Sequence, residues 1–145
     1  MEGTIREAED KDAKRLESFL LEANLDTDGI AEGLDYFSLL ETKSGTLKAC
    51  VGIEPVGSLG MLRSFVLSQG TSQTEIMLLF DRVIRIAERK KLTGLYLATN
   101  KESAVAFFKG IGFQQMTEIP ADLQTSTHYQ QVLNVDNSVI MGMHL

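Results

Sequence analysis

Met61-Leu62-Arg63-Ser64-Phe65-Val66-Leu67, then Ser68-Gln69-Gly70-Thr71-Ser72-Gln73, then an amphipathic run from Thr74 to Lys91 form the segment around which the chain is built. The first seven residues are apolar and β-preferring, the composition of a buried strand. The next six are polar and turn-forming. In the run that follows, Ile76, Leu79, Phe80, Val83, Ile84 and Ala87 recur at helical spacing. Glu75, Asp81, Arg82, Arg85, Glu88 and Arg89 fill the remaining face. Strand, loop and helix N-terminus in that order create a place where backbone N–H groups can receive a phosphate.

Upstream, Thr4 to Ala8 is a short strand, and Asp10 to Ala23 is a helix with Asp10 or Asp12 as its N-cap. Ala13, Leu16, Phe19, Leu20 and Ala23 share one face of it. Asn24 to Gly33 is polar, with one helical turn expected around Gly29 to Glu32. Tyr36–Glu41 and Leu47–Ile53 form a hairpin across Lys43-Ser44-Gly45, and Pro55 to Gly60 turns the chain into the next strand. Downstream, Gly94 is placed near the C-cap of the long helix. Leu95–Thr99 is an apolar strand and Glu102–Lys109 a short helix stopped by Gly110 and Gly112. Phe113 to Thr117 is a strand, Pro120 to Gln124 a turn of helix, and Ser138 to Leu145 a last strand. The expected fold is α/β: a mixed, mostly antiparallel sheet of six or seven strands with helices on both faces, in a single domain over 1–145.

Composition narrows the function classes. Of 145 residues, 43% are hydrophobic and 23% charged, which suits a soluble globular domain with one core. A net charge of −6 argues against broad nucleic-acid or anionic-membrane binding, with Arg89-Lys90-Lys91 the one local basic run. The lone cysteine, Cys50, supports neither an intramolecular disulfide nor a multi-cysteine metal site. No apolar run reaches the roughly 20 residues that cross a bilayer, and Met1-Glu2-Gly3-Thr4 does not resemble a signal peptide, so a cytoplasmic protein is expected. No metal site is expected.

The element order, with Leu62 to Val66 followed by a loop and long helix, resembles the GNAT family of acetyl-CoA-dependent N-acetyltransferases. Ser103-Ala104-Val105-Ala106-Phe107-Phe108-Lys109-Gly110-Ile111-Gly112-Phe113 looks like that family's small-Ala-x-x-Phe-aromatic-x-x-x-Gly-Phe helix, turn and strand. The tail, with Pro120, Ser126, Tyr129, Leu133, Ser138, Met141 and Leu145, is similar to the branch containing arsenic-resistance-type acetyltransferases. The resemblance implies acetyl-CoA as cosubstrate, in a cleft where the strand ending at Leu67 splays from the strand Leu95 to Thr99. It implies pantetheine contacts near Phe65, Val66 and Leu67. The remaining cofactor contacts would fall at Ser72, Gln73, Thr74 and Glu75 and at Asn100, Phe107 and Phe108. The acceptor would be a primary amine of a small molecule, attacking the thioester directly.

The chain departs from the family pattern at the pyrophosphate loop. Where the family has Arg or Gln, then Gly, then Gly or Ala, this sequence has Ser72, Glu75 and Met77. Ser72-Gln73-Thr74-Glu75 instead reads as a capping box, which stabilises a helix by about 0.5–2 kcal/mol and occupies N–H groups that a diphosphate needs. The catalytic candidates each read two ways. Glu54 is a general base or a solvated turn carboxylate; Tyr129 is a general acid from the tail or a packing tyrosine. Phe108 stands where many relatives place an acidic tyrosine, and reads first as core. His128 reads as a surface residue and His144 has no evident partner. Cys50 reads as a small buried hydrophobe. Met141 and Met143 share one face of the last strand, as core or as an edge-strand homodimer contact. Two functions are thus open: an N-acetyltransferase, or a GNAT-fold binding or regulatory module with a closed cofactor loop.

Overall fold

The computed structural model describes residues 3–126, 129 and 138–145. Among the described residues the elements run β1 (Thr4–Glu7), α1 (Ala13–Glu22), β2 (Phe37–Glu41), β3 (Leu47–Val56), β4 (Leu59–Leu67), α2 (Gln73–Arg89), β5 (Gly94–Thr99), α3 (Glu102–Ile111), β6 (Gln114–Gln115) and β7 (Val139–His144). The sheet order is β1-β2-β3-β4-β5-β7-β6. The β1–β2, β2–β3, β5–β7 and β6–β7 pairs are antiparallel, and β4–β5 is parallel. This is the mixed, mostly antiparallel sheet expected from the sequence. The chain divides into two compact units, Met1–Ile53 with Ser64–Ile86, and Glu54–Arg63 with Ala87–Leu145. It passes from one to the other within β3, within β4 and within α2.

In the first unit Leu16 and Leu20 of α1 pack with Ile30, Leu34, Phe37, Leu39 and Cys50. An ion network fastens the start of α1 to β1 and β2. Arg6 donates both terminal nitrogens to the Asp12 carboxylate, at 2.7 and 2.8 Å, and its Nε to Glu41. Arg15 bonds Asp12, Glu41 and the Gly45 carbonyl. Asp12 is therefore buried, and the Arg6 guanidinium holds its carboxyl well below the usual carboxylate range. It is the N-cap residue of α1, as expected, but makes no side-chain capping bond to that helix and instead accepts from the Glu9 amide at 2.7 Å. Ala23, placed inward by periodicity, is exposed just past the last turn. Gly29 to Glu32 is a turn and not helical.

Several boundaries move for identifiable reasons. β3 runs through Pro55 to Val56, because β2 ends opposite Gly52 and a proline beyond that point interrupts no β2–β3 ladder bond. Helix α2 ends at Arg89, and Lys91 beyond it, with φ of +63°, and the Leu92 amide bond to the Ala87 carbonyl make the left-handed cap. Gly94 is instead the first residue of β5. Gly110 lies inside α3, and Gly112, φ +126°, stops it. On α2 it is Ile86, not Ile84, that is fully buried along with Leu79, Phe80, Val83 and Ala87.

In the second unit Leu59, Met61, Tyr96, Leu123 and Tyr129 form a cluster. Phe108 is buried edge-on to Phe113, ring centroids 5.7 Å apart at 78°, and to Phe107 at 5.4 Å and 76°. The strand expected from Phe113 to Thr117 shortens to Gln114–Gln115. β7 lies between β5 and β6. The two-residue β6 pairs with it at Met141 and Gly142. No described helix is long and apolar enough to cross a membrane.

Candidate active site

In the second unit the parallel pairing of β4 with β5 covers Leu59–Gly94, Gly60–Leu95 and Met61–Tyr96. Both strands continue past it: Leu62 and Arg63 on one side, Leu97 to Thr99 on the other. Ser64, the next residue of β4, has φ +57°, a left-handed conformation unusual outside glycine that re-aims a strand. Its carbonyl accepts from the Cys50 thiol at 3.2 Å. Burial pushes that thiol up to about 12, so Cys50 stays a protonated donor.

Beyond Ser64, in the first unit, Phe65 and Leu67 are each 38% exposed and Val66 is half-buried. The Phe65 ring stands edge-on to Phe80 of α2, centroids 4.9 Å apart. The start of the loop is tied to β3, where Ser68 N donates to Lys48 O at 2.9 Å, and within the loop the Thr71 hydroxyl donates to Ser68 O at 2.7 Å. At the helix start the Glu75 amide donates to Ser72 Oγ at 3.1 Å, and the Ser72 amide to Glu75 Oε1 at 2.9 Å. The reciprocal capping box read from the sequence is present. Glu75 has two further partners that spacing gave no sign of. Lys48 Nζ donates to Oε1 at 3.0 Å and the Gly3 amide to Oε2 at 2.9 Å. Glu75 is thus 3% exposed and not on the solvent face. The Ser72 and Gly3 amides, then Lys48, bring its carboxyl down to about 2 against the opposing effect of burial. A side-chain anion therefore occupies the end of α2. Ser72, Gln73 and Thr74 are exposed, as is Met77 at 51%. Among the described residues the Gln73 and Thr74 amides meet no acceptor.

In the second unit Glu54, near the end of β3, and Tyr129, in the tail, are brought together through a third residue. Ser126 Oγ accepts from the Tyr129 amide at 3.0 Å and lies within hydrogen-bonding distance of Glu54 Oε1. Ser126 is buried, Glu54 half-buried, and the Tyr129 side chain sits among Leu59, Met61, Tyr96 and Leu123. The sequence carried Ser126 only as part of a tail pattern. Its signal was the spacing Ser126-x-x-Tyr129, that of a hydroxyl capping the amide three residues on. Asn100 is exposed just after β5, and Phe107 is half-buried on α3. His144 is exposed, while His128 and Leu133 lie outside the described residues. Among the described residues no three His, Cys, Asp or Glu side chains are grouped to hold a metal ion.

No family model matches the chain. Over 138 residues it is 31% identical to the uncharacterized protein YwlB of Bacillus subtilis strain 168, covering 94% of each. Rv2747 of Mycobacterium tuberculosis, solved in complex with CoA and NLQ, superposes with a TM-score of 0.76 at 17% identity, over 98% of this chain and 99% of that one. An acetyltransferase of the GNAT family from Staphylococcus aureus Mu50 superposes with a TM-score of 0.73 at 19% identity, over 99% of each chain. At such identities the likeness to the solved structures is one of fold.

Proposed function

The chain belongs to one family with YwlB of Bacillus subtilis and has the GNAT fold, and on that premise we propose that it is an acyltransferase moving an acetyl group from acetyl-CoA to a primary amine of a small molecule. The observation that carries the reading is the parallel pair β4–β5, whose ladder ends at Met61–Tyr96 while both strands run on. The backbone from Phe65 to Leu67 is the stretch proposed to meet the pantetheine arm. The amine nitrogen attacks the thioester carbonyl carbon, an N–C bond forms and the C–S bond breaks. Glu54 takes the proton lost by nitrogen, and the leaving thiolate is protonated from Tyr129, giving an amide and free thiol. The tail pattern favours the arsenic-resistance-type branch of the fold.

The Glu75 cap supports a second reading, a GNAT-fold binding or regulatory module with its cofactor loop closed. A carboxylate bonded by Ser72, Gly3 and Lys48 stands where a diphosphate would need donors and positive potential. Calorimetric titration with acetyl-CoA and with CoA separates the two. Micromolar binding, weakened by substitutions at Phe65 to Leu67, supports the transferase. Neither heat nor a thermal shift at millimolar CoA leaves only the module. The double variant Glu75→Gly, Met77→Gly is expected to bind CoA about tenfold more tightly and to lose helix stability. Unchanged affinity would clear the loop of blame for weak binding.

A further inference from the structure

Resting on the proposed role of Glu54 as base, we infer that Ser126 is its positioning residue. The Ser126 hydroxyl fixes the Glu54 carboxylate through Oε1, leaving Oε2 for the incoming proton. The direction of the bond follows from the donors present. The Tyr129 N–H only donates, so Ser126 Oγ accepts from it at 3.0 Å. With the carboxylate ionised, the hydroxyl's own proton is the one that bonds Glu54 Oε1. Ser126 is 2% exposed, so water competes poorly for that proton.

The serine is held independently of Glu54. It follows the 3-10 turn Ala121–Thr125, and its amide donates to the Leu123 carbonyl at 2.9 Å. The Leu123 side chain is fully buried against Met61 and Tyr96. Glu54 is fixed in turn by the β3 backbone. A donor held on one element and an acceptor on another are oriented before any substrate arrives. Capping Tyr129 uses only a lone pair of Ser126, so the contact with Glu54 is additional to what a cap requires.

The test measures steady-state acetyl transfer by the intact chain, unsubstituted and as Ser126→Ala, Ser126→Thr, Glu54→Gln and the double variant Glu54→Gln, Ser126→Ala. In Ser126→Ala kcat is expected to fall about tenfold while KM for acetyl-CoA stays within about twofold, and Ser126→Thr, which keeps the hydroxyl, is expected to recover kcat to within about twofold. In the Glu54→Gln background Ser126→Ala is expected to lower the residual rate by less than about twofold, because a serine that acts through Glu54 has nothing left to hold. An unchanged kcat in Ser126→Ala, or the same tenfold loss in the Glu54→Gln background, overturns the inference. Amide spectra establish that each variant is folded. Should the unsubstituted chain transfer no acetyl group to any amine, the functional reading falls, and the same double-variant cycle followed by urea unfolding then decides the contact: coupling between the two sites upholds it and strict additivity overturns it.

Discussion

Glu75→Gln isolates the charge at the start of α2 while keeping side-chain shape. In the folded chain the carboxylate accepts from two amides and a lysine, at 2.9, 2.9 and 3.0 Å, and its pKa falls from an ordinary 4.5 to about 2. That difference sets a ceiling of about 3 kcal/mol on what ionisation contributes to folding. The cap lies beside exposed Ser72, Gln73 and Thr74, so solvent screening brings the expected value nearer to about 2 kcal/mol. The folded pKa is depressed, so the contribution is fully present above pH 4.5 and is lost as pH falls from there toward 2. Urea unfolding followed by circular dichroism at about pH 7 and about pH 3 measures both limits. At the higher pH Glu75→Gln is expected to be less stable by about 2 kcal/mol, or about 4–8 °C in Tm for a chain of this size. At the lower pH Glu75 is largely protonated in the unfolded chain while still mostly ionised in the folded one, and the gap should shrink to about half. A gap of the same size at both values would refute the account, because loss of packing or of a neutral hydrogen bond does not titrate there.

Two other substitution or reactivity experiments examine the interior. A Cβ at Gly142 would lie 2.5 and 2.6 Å from the Tyr96 ring, which is itself buried and packed over that register partner. Gly142→Ala should therefore cost about 2–3 kcal/mol in urea unfolding, and a loss below about 0.5 kcal/mol would mean the ring has room to move. Cys50, a buried donor pushed up to about 12, should react with a disulfide reagent roughly a thousandfold more slowly in the native chain than in urea near pH 8. Comparable rates would contradict its burial.

Much of the fold was legible because local and long-range preferences agree in it. The alternation and turn chemistry of Leu47 to Leu67 and the helical period of α2 each point to one structure. The Ser72–Glu75 box was readable because both of its hydrogen bonds span three residues. The boundaries that moved are those that depend on a neighbour. Pro55 remains in β3 only because β2 has already ended, and Ile86 is buried because tertiary packing chose the face of α2 that period alone left broad.

Sequence alone determined the order of elements and the self-capping helix, since these rest on spacings of a few residues. Only the tertiary structure decided what meets Glu75 and Glu54. Gly3 lies 72 positions from Glu75, and Ser126 lies 72 positions from Glu54. No local propensity encodes a contact across such a distance; it arises when separate strands and turns are packed against a common core and their polar atoms, withdrawn from water, must find one another.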